Sequence, residues 1–364
     1  MDALERDAFR VSLRPGGVIQ STIGIHAPYI YIEKSPLTKT PAAIDVVGVG
    51  LNATDTVIPV SHFPASGSKV EVLSASVLPG GQVATAMVAC RRWGLRARYV
   101  GKLGDDHAAS LHRSAFDAAG VDARLLTAPG CTSQQAFILV EDSGERTVLW
   151  KRDPRLTLLP EDLKKEWITD ARVVHLDGHD TEAAILAATW AREAGIPVVA
   201  DLDELYPGVE RLIEKIDYLI VSRDIPEQLT GSSELFHSLP RIQKQFGCRL
   251  TAATLGHDGV VAWDTHAFCY RPAWRVNVVD TTGAGDIFHA GFIYGLSQQW
   301  PLEQTLDFAC AAAALNCTAS GARGGIRELT DVEELMAAGS RYETKALPDI
   351  ALNHPSAHDP ILVR

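Results

Sequence analysis

Asp280-Thr281-Thr282-Gly283-Ala284-Gly285-Asp286 leads from a polar, glycine-rich turn into a segment whose apolar residues Ile287, Phe288, Phe292 and Leu296 follow helical spacing. Gly283 and Gly285 let the backbone turn tightly and come close to a ligand. The first N–H groups of the helix have no internal partners and carry the positive end of its dipole, so they form an anion site. A carboxylate at that spot, Asp286, repels an anion that is merely bound. It makes sense as a base that takes the proton from an attacking hydroxyl while the N–H groups of Gly283, Ala284 and Gly285 hold the charge of a transferring phosphoryl group. An Asp that only caps a helix after a glycine turn is the plain alternative.

Three further stretches offer ligand contacts. Pro79-Gly80-Gly81-Gln82-Val83-Ala84-Thr85 places two glycines before a helix of small residues, with Gln82 and Thr85 presenting polar atoms near its start; a tight helix–helix contact explains the pattern equally well. Gly48-Val49-Gly50-Leu51-Asn52-Ala53 imitates a dinucleotide fingerprint, but Thr54, Thr56, Val57, Ile58 and Pro59 will not start the helix that fingerprint needs. Asn52 and Asp55, at a strand end, suit the hydroxyls of a small polar ligand better. Thr254-Leu255-Gly256-His257-Asp258-Gly259 ends one strand and turns into the next, a hairpin turn or a ligand edge.

Other polar groups carry weaker expectations. His175, Asp177 and His179 alternate along a strand end, which would suit a metal but fits a polar rim beside the substrate crevice better. Arg91, Arg92, Arg96 and Arg98 read as a solvated helix face, or as a contact to a phosphate or sulfonate. Glu145 and Arg146 follow a predicted hairpin turn and are candidates to reach the pocket. No HExxH or GxSxG occurs, so zinc and serine hydrolases lack support.

The elements that must position these residues follow from short apolar runs at 44–49, 172–176, 197–200, 218–221 and 250–255, separated by helix-length segments such as 181–194, which closes with Gly195 and Pro197. Strands alternating with helices predict an α/β fold, Rossmann-like, with a mostly parallel sheet covered on both faces. Segments 54–78 and 134–151 lack helical period and predict a small, mainly antiparallel lid sheet. Residues 1–40 read as a weakly ordered extension, 41–330 as the main domain, and 331–364 as a short helix and polar tail. The chain has 34 Lys+Arg against 45 Asp+Glu, a net charge of −11, which argues against a nucleic-acid partner. No apolar run reaches the ~20 residues of a membrane span. Residues 1–14 lack the apolar core of a signal peptide, and the six cysteines are scattered, so the expected compartment is the cytoplasm.

In order and spacing, these stretches resemble the ribokinase-like (PfkB) family of carbohydrate kinases over roughly residues 44–330. Asp280 to Asp286 is similar to the family's C-terminal signature; Gly80-Gly81 with Gly101-Lys102-Leu103-Gly104-Asp105-Asp106 is similar to its N-terminal one. The resemblance implies Asp286 as catalytic base, Gly283, Ala284 and Gly285 as anion hole, and Asp55, Gly80, Gly81, Gln82 and Thr85 around a sugar, which Asn52 and Glu145 would join from their own positions. It places Ser222, Thr254, Gly256, Gly259 and Cys310 at the nucleotide, Asp280 near a monovalent cation such as K⁺, and Asp224 or Glu227 at Mg²⁺ through water. Segments 279–289, 316–318 and 324–326 look closest to the sulfofructose kinase branch. The chain departs from the family at Thr85 and Cys310, both often Asn, at Ala109 for Gly, and at Ser222-Arg223-Asp224-Ile225 for an Asn-x-x-Glu element.

The expected activity is ATP- and Mg²⁺-dependent phosphorylation of a hydroxyl on a sugar or sugar-like small molecule. A nucleoside kinase, or a member that senses sugar or nucleotide without turnover, are the alternatives. An exposed lid edge would suit a homodimer.

Overall fold

The computed structural model describes residues 43–343; the predicted extension at 1–40 and most of the tail lie outside them. The strands are β1 (Ile44–Val49), β2 (Ala53–Val60), β3 (Ser76–Gly80), β4 (Ala97–Leu103), β5 (Asp122–Thr127), β6 (Gln135–Glu141) and β7 (Arg146–Lys151). They continue as β8 (Ala171–Leu176), β9 (Val198–Leu202), β10 (Tyr218–Ser222), β11 (Leu250–Thr254), β12 (Val260–Trp263) and β13 (Phe268–Arg271). The helices are α1 (Gln82–Arg92), α2 (His107–Ala119), α3 (Lys165–Thr169), α4 (Thr181–Glu193) and α5 (Val209–Ile213). They are followed by α6 (Ile225–Thr230), α7 (Leu235–Phe246), α8 (Ala284–Ser297), α9 (Leu302–Asn316) and α10 (Leu329–Ala338).

Nine strands form one sheet in the order β13-β12-β11-β10-β9-β8-β1-β4-β5, parallel apart from the antiparallel pairings of β12 and β13. The near-continuous Val, Ile and Ala of its strands reflects burial on both faces. Val46, Tyr99, Val173, Val199 and Ile220 pack with Met87 of α1, Phe116 of α2 and Phe292 and Phe308 of α8 and α9. Val47, Val100, Val174, Ala200 and Leu219 face the other way, onto Ala184 and Ala188 of α4, Leu212 of α5 and Leu239 of α7. Each large side chain so buried contributes roughly 1.5–3 kcal/mol. Helix α4 ends as its sequence predicts, with Gly195 at φ 71.

The predicted lid is a separate four-stranded sheet, β3-β2-β6-β7. It is less antiparallel than expected, because its central pair β2 and β6 runs parallel, joined through the main sheet rather than by a turn. Its inward side carries Leu78, Asp55, Ala136 and Trp150 in one row across the strands. The residues after β1 form a strand, not a helix, which disposes of the dinucleotide fingerprint. Nor do the four arginines make one solvated face. Arg98 is buried in β4 and bonded to Asp122, while Arg96 pairs with Asp45 and Arg92 with Glu328. All six cysteines are buried and unpaired by disulfides, as small core residues.

Candidate active site

In the main sheet the chain winds outward from β1 through β4 to β5, then returns to the other side and winds from β8 to β11. Open sheets take ligands at the carboxyl ends of strands beside such a reversal. Here those ends carry Asn52 after β1, Asp177 after β8, Asp203 after β9, Ser222 closing β10 and Thr254 closing β11. Asp177 bridges the reversal by accepting from Leu51 N (2.5 Å) and His179 N (3.0 Å). It is therefore a buried rim residue, and no cluster of three metal-ligating side chains exists among the described residues.

The loop before α8 is held from several sides. Gly283 is its N-cap at φ 78, and a Cβ there would run into the backbone of Ala322, so the position excludes side chains on two counts. Asp280 is buried and accepts from Thr282 N (2.8 Å) and Gly321 N (2.7 Å). Asn316 Nδ2 donates to the carbonyls of Thr282 and Ala322, both at 3.1 Å. Gly285 differs: a Cβ on it would meet open space, because it faces the cleft. Asp286 stands in the first turn of α8 with no hydrogen bond or ion pair among the described residues, which leaves its carboxylate free rather than capping. Loss of hydration pushes its pKa up to about 7; Asp203 and Asp55 push the same way, and Arg146 and Arg323 oppose them.

Asp55 is buried beside the Cα position of Gly80, whose missing side chain makes room for the carboxylate. Burial raises its pKa to about 7, against the pull of Arg323. Gly81 takes φ 93 and lies against the backbone of Asn52. Gln82 draws down the carboxyl of Asp203, which loss of hydration raises. Asn52 gives its amide N–H groups to the protein itself. Its Nδ2 donates to Tyr99 Oη (2.8 Å) and Lys102 O (3.1 Å), leaving a buried Oδ1 without a partner among the described residues. Thr85 is fully buried, and its hydroxyl accepts from Arg323 Nε (3.2 Å), so it acts on the pocket through that arginine.

On the β10–β11 side, a cavity of about 460 Å³ is lined by Ser222, Thr254, Gly256, Gly259 and Cys310, with Ala284 and Gly285 at its inner end. Trp274, Val276, Val278 and Phe288 give it apolar walls, and Glu145 and Arg146 at the lid tip line it too. Arg146 Nη1 donates to Thr281 O and Oγ1, each at 3.0 Å, and Thr281 Oγ1 donates to Gly144 O, so the lid tip is fastened to the loop before α8. Asp224 and Glu227 line a neighbouring, separate cavity with Arg223 and Asp258.

Arg323 and Asp203 were not singled out in the sequence. Arg323 lies 37 positions beyond Asp286 in a loop without period, and nothing but tertiary structure returns it to Asp55. Asp203, two residues past a run of Val, Val, Ala and Asp at a strand end, had a readable signal.

The site thus joins an acid at the start of α8, the open backbone of Gly285, a cleft along the carboxyl ends of a parallel sheet and a small lid sheet. The chain belongs to the PfkB family of carbohydrate kinases, whose pfkB family carbohydrate kinase model matches residues 43–329. It is 29% identical over 294 residues to the ATP-dependent ribose-1-phosphate kinase of Halopiger xanaduensis, covering 77% of this chain and 94% of that one. It is 31% identical over 266 residues to the aminoimidazole riboside kinase of Salmonella typhimurium, covering 67% and 83%. The Arabidopsis thaliana ribokinase structure complexed with ribose and ATP shares the fold, with a TM-score of 0.71 at 23% identity over 81% of this chain and 99% of that one. Neither curated relative is a sulfofructose kinase, and the finer branch resemblance finds no support in them.

Proposed function

We propose that this carbohydrate kinase transfers the γ-phosphoryl group of ATP to a hydroxyl of a sugar or sugar-like acceptor, with Asp286 as general base. The observation that carries the reading is the unpaired Asp286 carboxylate at the start of α8, beside the open backbone of Gly285. Its raised pKa suits a base working near neutrality. As the acceptor oxygen attacks the γ-phosphorus, its proton passes to Asp286, the bond from that phosphorus to the bridging oxygen breaks, and ADP leaves. The N–H groups at Gly283, Ala284 and Gly285 take up the charge on the equatorial oxygens. Arg146, which Asp286 feels more strongly than any other charge, adds a cation from the lid.

The apolar walls around Trp274 and Phe288 suit the nucleotide's base. The carboxylates Asp55 and Asp203 suit acceptor hydroxyls, which argues against a nucleobase on that side. Mg²⁺ binds chiefly phosphate oxygens and water and when bound would neutralise phosphate charge; Asp224 and Glu227, the carboxylates expected beside it, line a separate cavity. For K⁺, Asp280 keeps lone pairs beyond its two backbone bonds, and Thr282 Oγ1 and Asn316 Oδ1 are buried oxygens without partners among the described residues. These three residues fit a monovalent cation that would stiffen the loop. A second copy on the outer lid face is supported by Val77, Phe137 and Leu149, exposed and aligned with Thr56 between them.

The test is Asp286→Asn, which keeps size and loses proton acceptance. Expected is a fall in kcat of ~10²–10⁴-fold in an ADP-release assay, with the KM for ATP held or lowered. A variant keeping more than half its kcat would end the base assignment.

A further inference from the structure

We propose that Arg323 selects the acceptor, its unpartnered Nη1 donating to an uncharged oxygen of a polyhydroxylated substrate held against Asp55. The inference rests on the phosphoryl-transfer reading and deepens it. Two nitrogens and the flat face of the guanidinium are accounted for. Nε donates to Thr85 Oγ1 (3.2 Å), Nη2 donates to Gly80 O (2.9 Å), and the plane lies 5.5 Å over the Phe116 ring. Nη1 is buried without a partner among the described residues. A buried donor left unmade costs free energy that a bound oxygen would recover.

The direction of this group follows from its neighbours. Its bond to Gly80 O sets the guanidinium beside Asp55, whose carboxylate fills the place of a Gly80 side chain. Asp55, Asp203 and Asp286 crowd the same space and would repel an anionic substituent. The loop that carries Arg323 is pinned by Asp280 on Gly321 N and by Asn316 on Ala322 O, the residues that also fix the anion hole. Reading the acceptor and holding the phosphoryl charge thus depend on one support.

The test uses the full chain with D-ribose and D-fructose, their monodeoxy analogues and D-ribose 1-phosphate, in the parent, Arg323→Lys and Thr85→Val. Lysine keeps the charge but replaces the planar fork, whose separate nitrogens reach Thr85 and Gly80, with one ammonium nitrogen. In the parent, removing the hydroxyl that Arg323 reads should cost ~10²-fold or more in kcat/KM. In Arg323→Lys that cost should shrink to within about threefold, with the acceptor KM raised about tenfold and the ATP KM within about twofold. Thr85→Val should move the same quantities less, in the same direction. Deoxy penalties equal in parent and Arg323→Lys would overturn the proposal. So would a loss confined to D-ribose 1-phosphate, since Arg323 would then be an anion ligand. Thermal unfolding with the sugar alone and with an unhydrolysable ATP analogue gives a second readout. Loss of the sugar shift with the nucleotide shift kept supports the assignment, and loss of both overturns it. Should the parent release no ADP yet show a sugar shift that Arg323→Lys lacks, the acceptor contact stands and the kinase mechanism falls.

Discussion

Asp286 sits where its charge is penalised, and the penalty has a sign that can be measured. With its folded pKa raised to about 7, the group favours folding most fully below its unfolded value of about 4, and that contribution is lost as pH rises through about 7. Asp286→Asn removes the charged form altogether. The ligand-free variant should therefore melt above the parent at pH 8, with the gap narrowing as pH falls to 5; a gap constant with pH would show that the carboxyl titrates normally. The two glycines of the loop should part company. Gly283→Ala meets both a left-handed φ and the Ala322 backbone, and its melting temperature should drop by several degrees. Gly285→Val, facing open cleft, should melt within about 2 °C of the parent while raising the ATP KM about tenfold or more. Equal melting losses in the two would contradict the geometry.

At the scale of elements, the lid hairpin of β6 and β7 is tied to the anion-hole loop through Arg146 and Thr281. The same arginine is the leading charge on Asp286. Arg146→Ala should raise the acceptor KM and lower kcat, each by about tenfold, with the melting temperature nearly unchanged because the side chain is exposed. Effects on neither kinetic constant would mean that the tip is only solvated. The hairpin itself was plain in the sequence, through Asp142-Ser143-Gly144 between two alternating runs. Its landing place was not, since Gly144 and Thr281 are 137 positions apart.

For the whole molecule, the outer lid face is the exposed apolar feature most in need of cover. Val77, Phe137 and Leu149 are 58%, 43% and 56% exposed in one row. Isolated exposed apolar residues need no explanation, but an aligned row on an open sheet does. Leu149→Asp should convert a dimer to a monomer in light scattering and leave the fold intact; a parent that is monomeric at every concentration would dismiss the lid–lid contact. No helix among the described residues is long and apolar enough to cross a membrane.

The reach of the sequence and of the tertiary structure divides along physical lines. Period and punctuation are local, so the parallel strands, the capped α4, the lid hairpin and the turn from Asp280 into α8 were legible from neighbouring residues. So was the place of Asp286, because a carboxylate at a helix start is fixed within one turn. Contacts between distant segments were not. Asn52 had the right type for a sugar ligand, yet Tyr99, 47 positions on, takes its amide. Thr85 read as a pocket residue, yet its hydroxyl goes to Arg323, 238 positions on. The central lid pair runs parallel because its strands are joined through the main sheet. Which donors remain free in a folded pocket is decided by every other group that competes for them, and only the tertiary structure brings those competitors together.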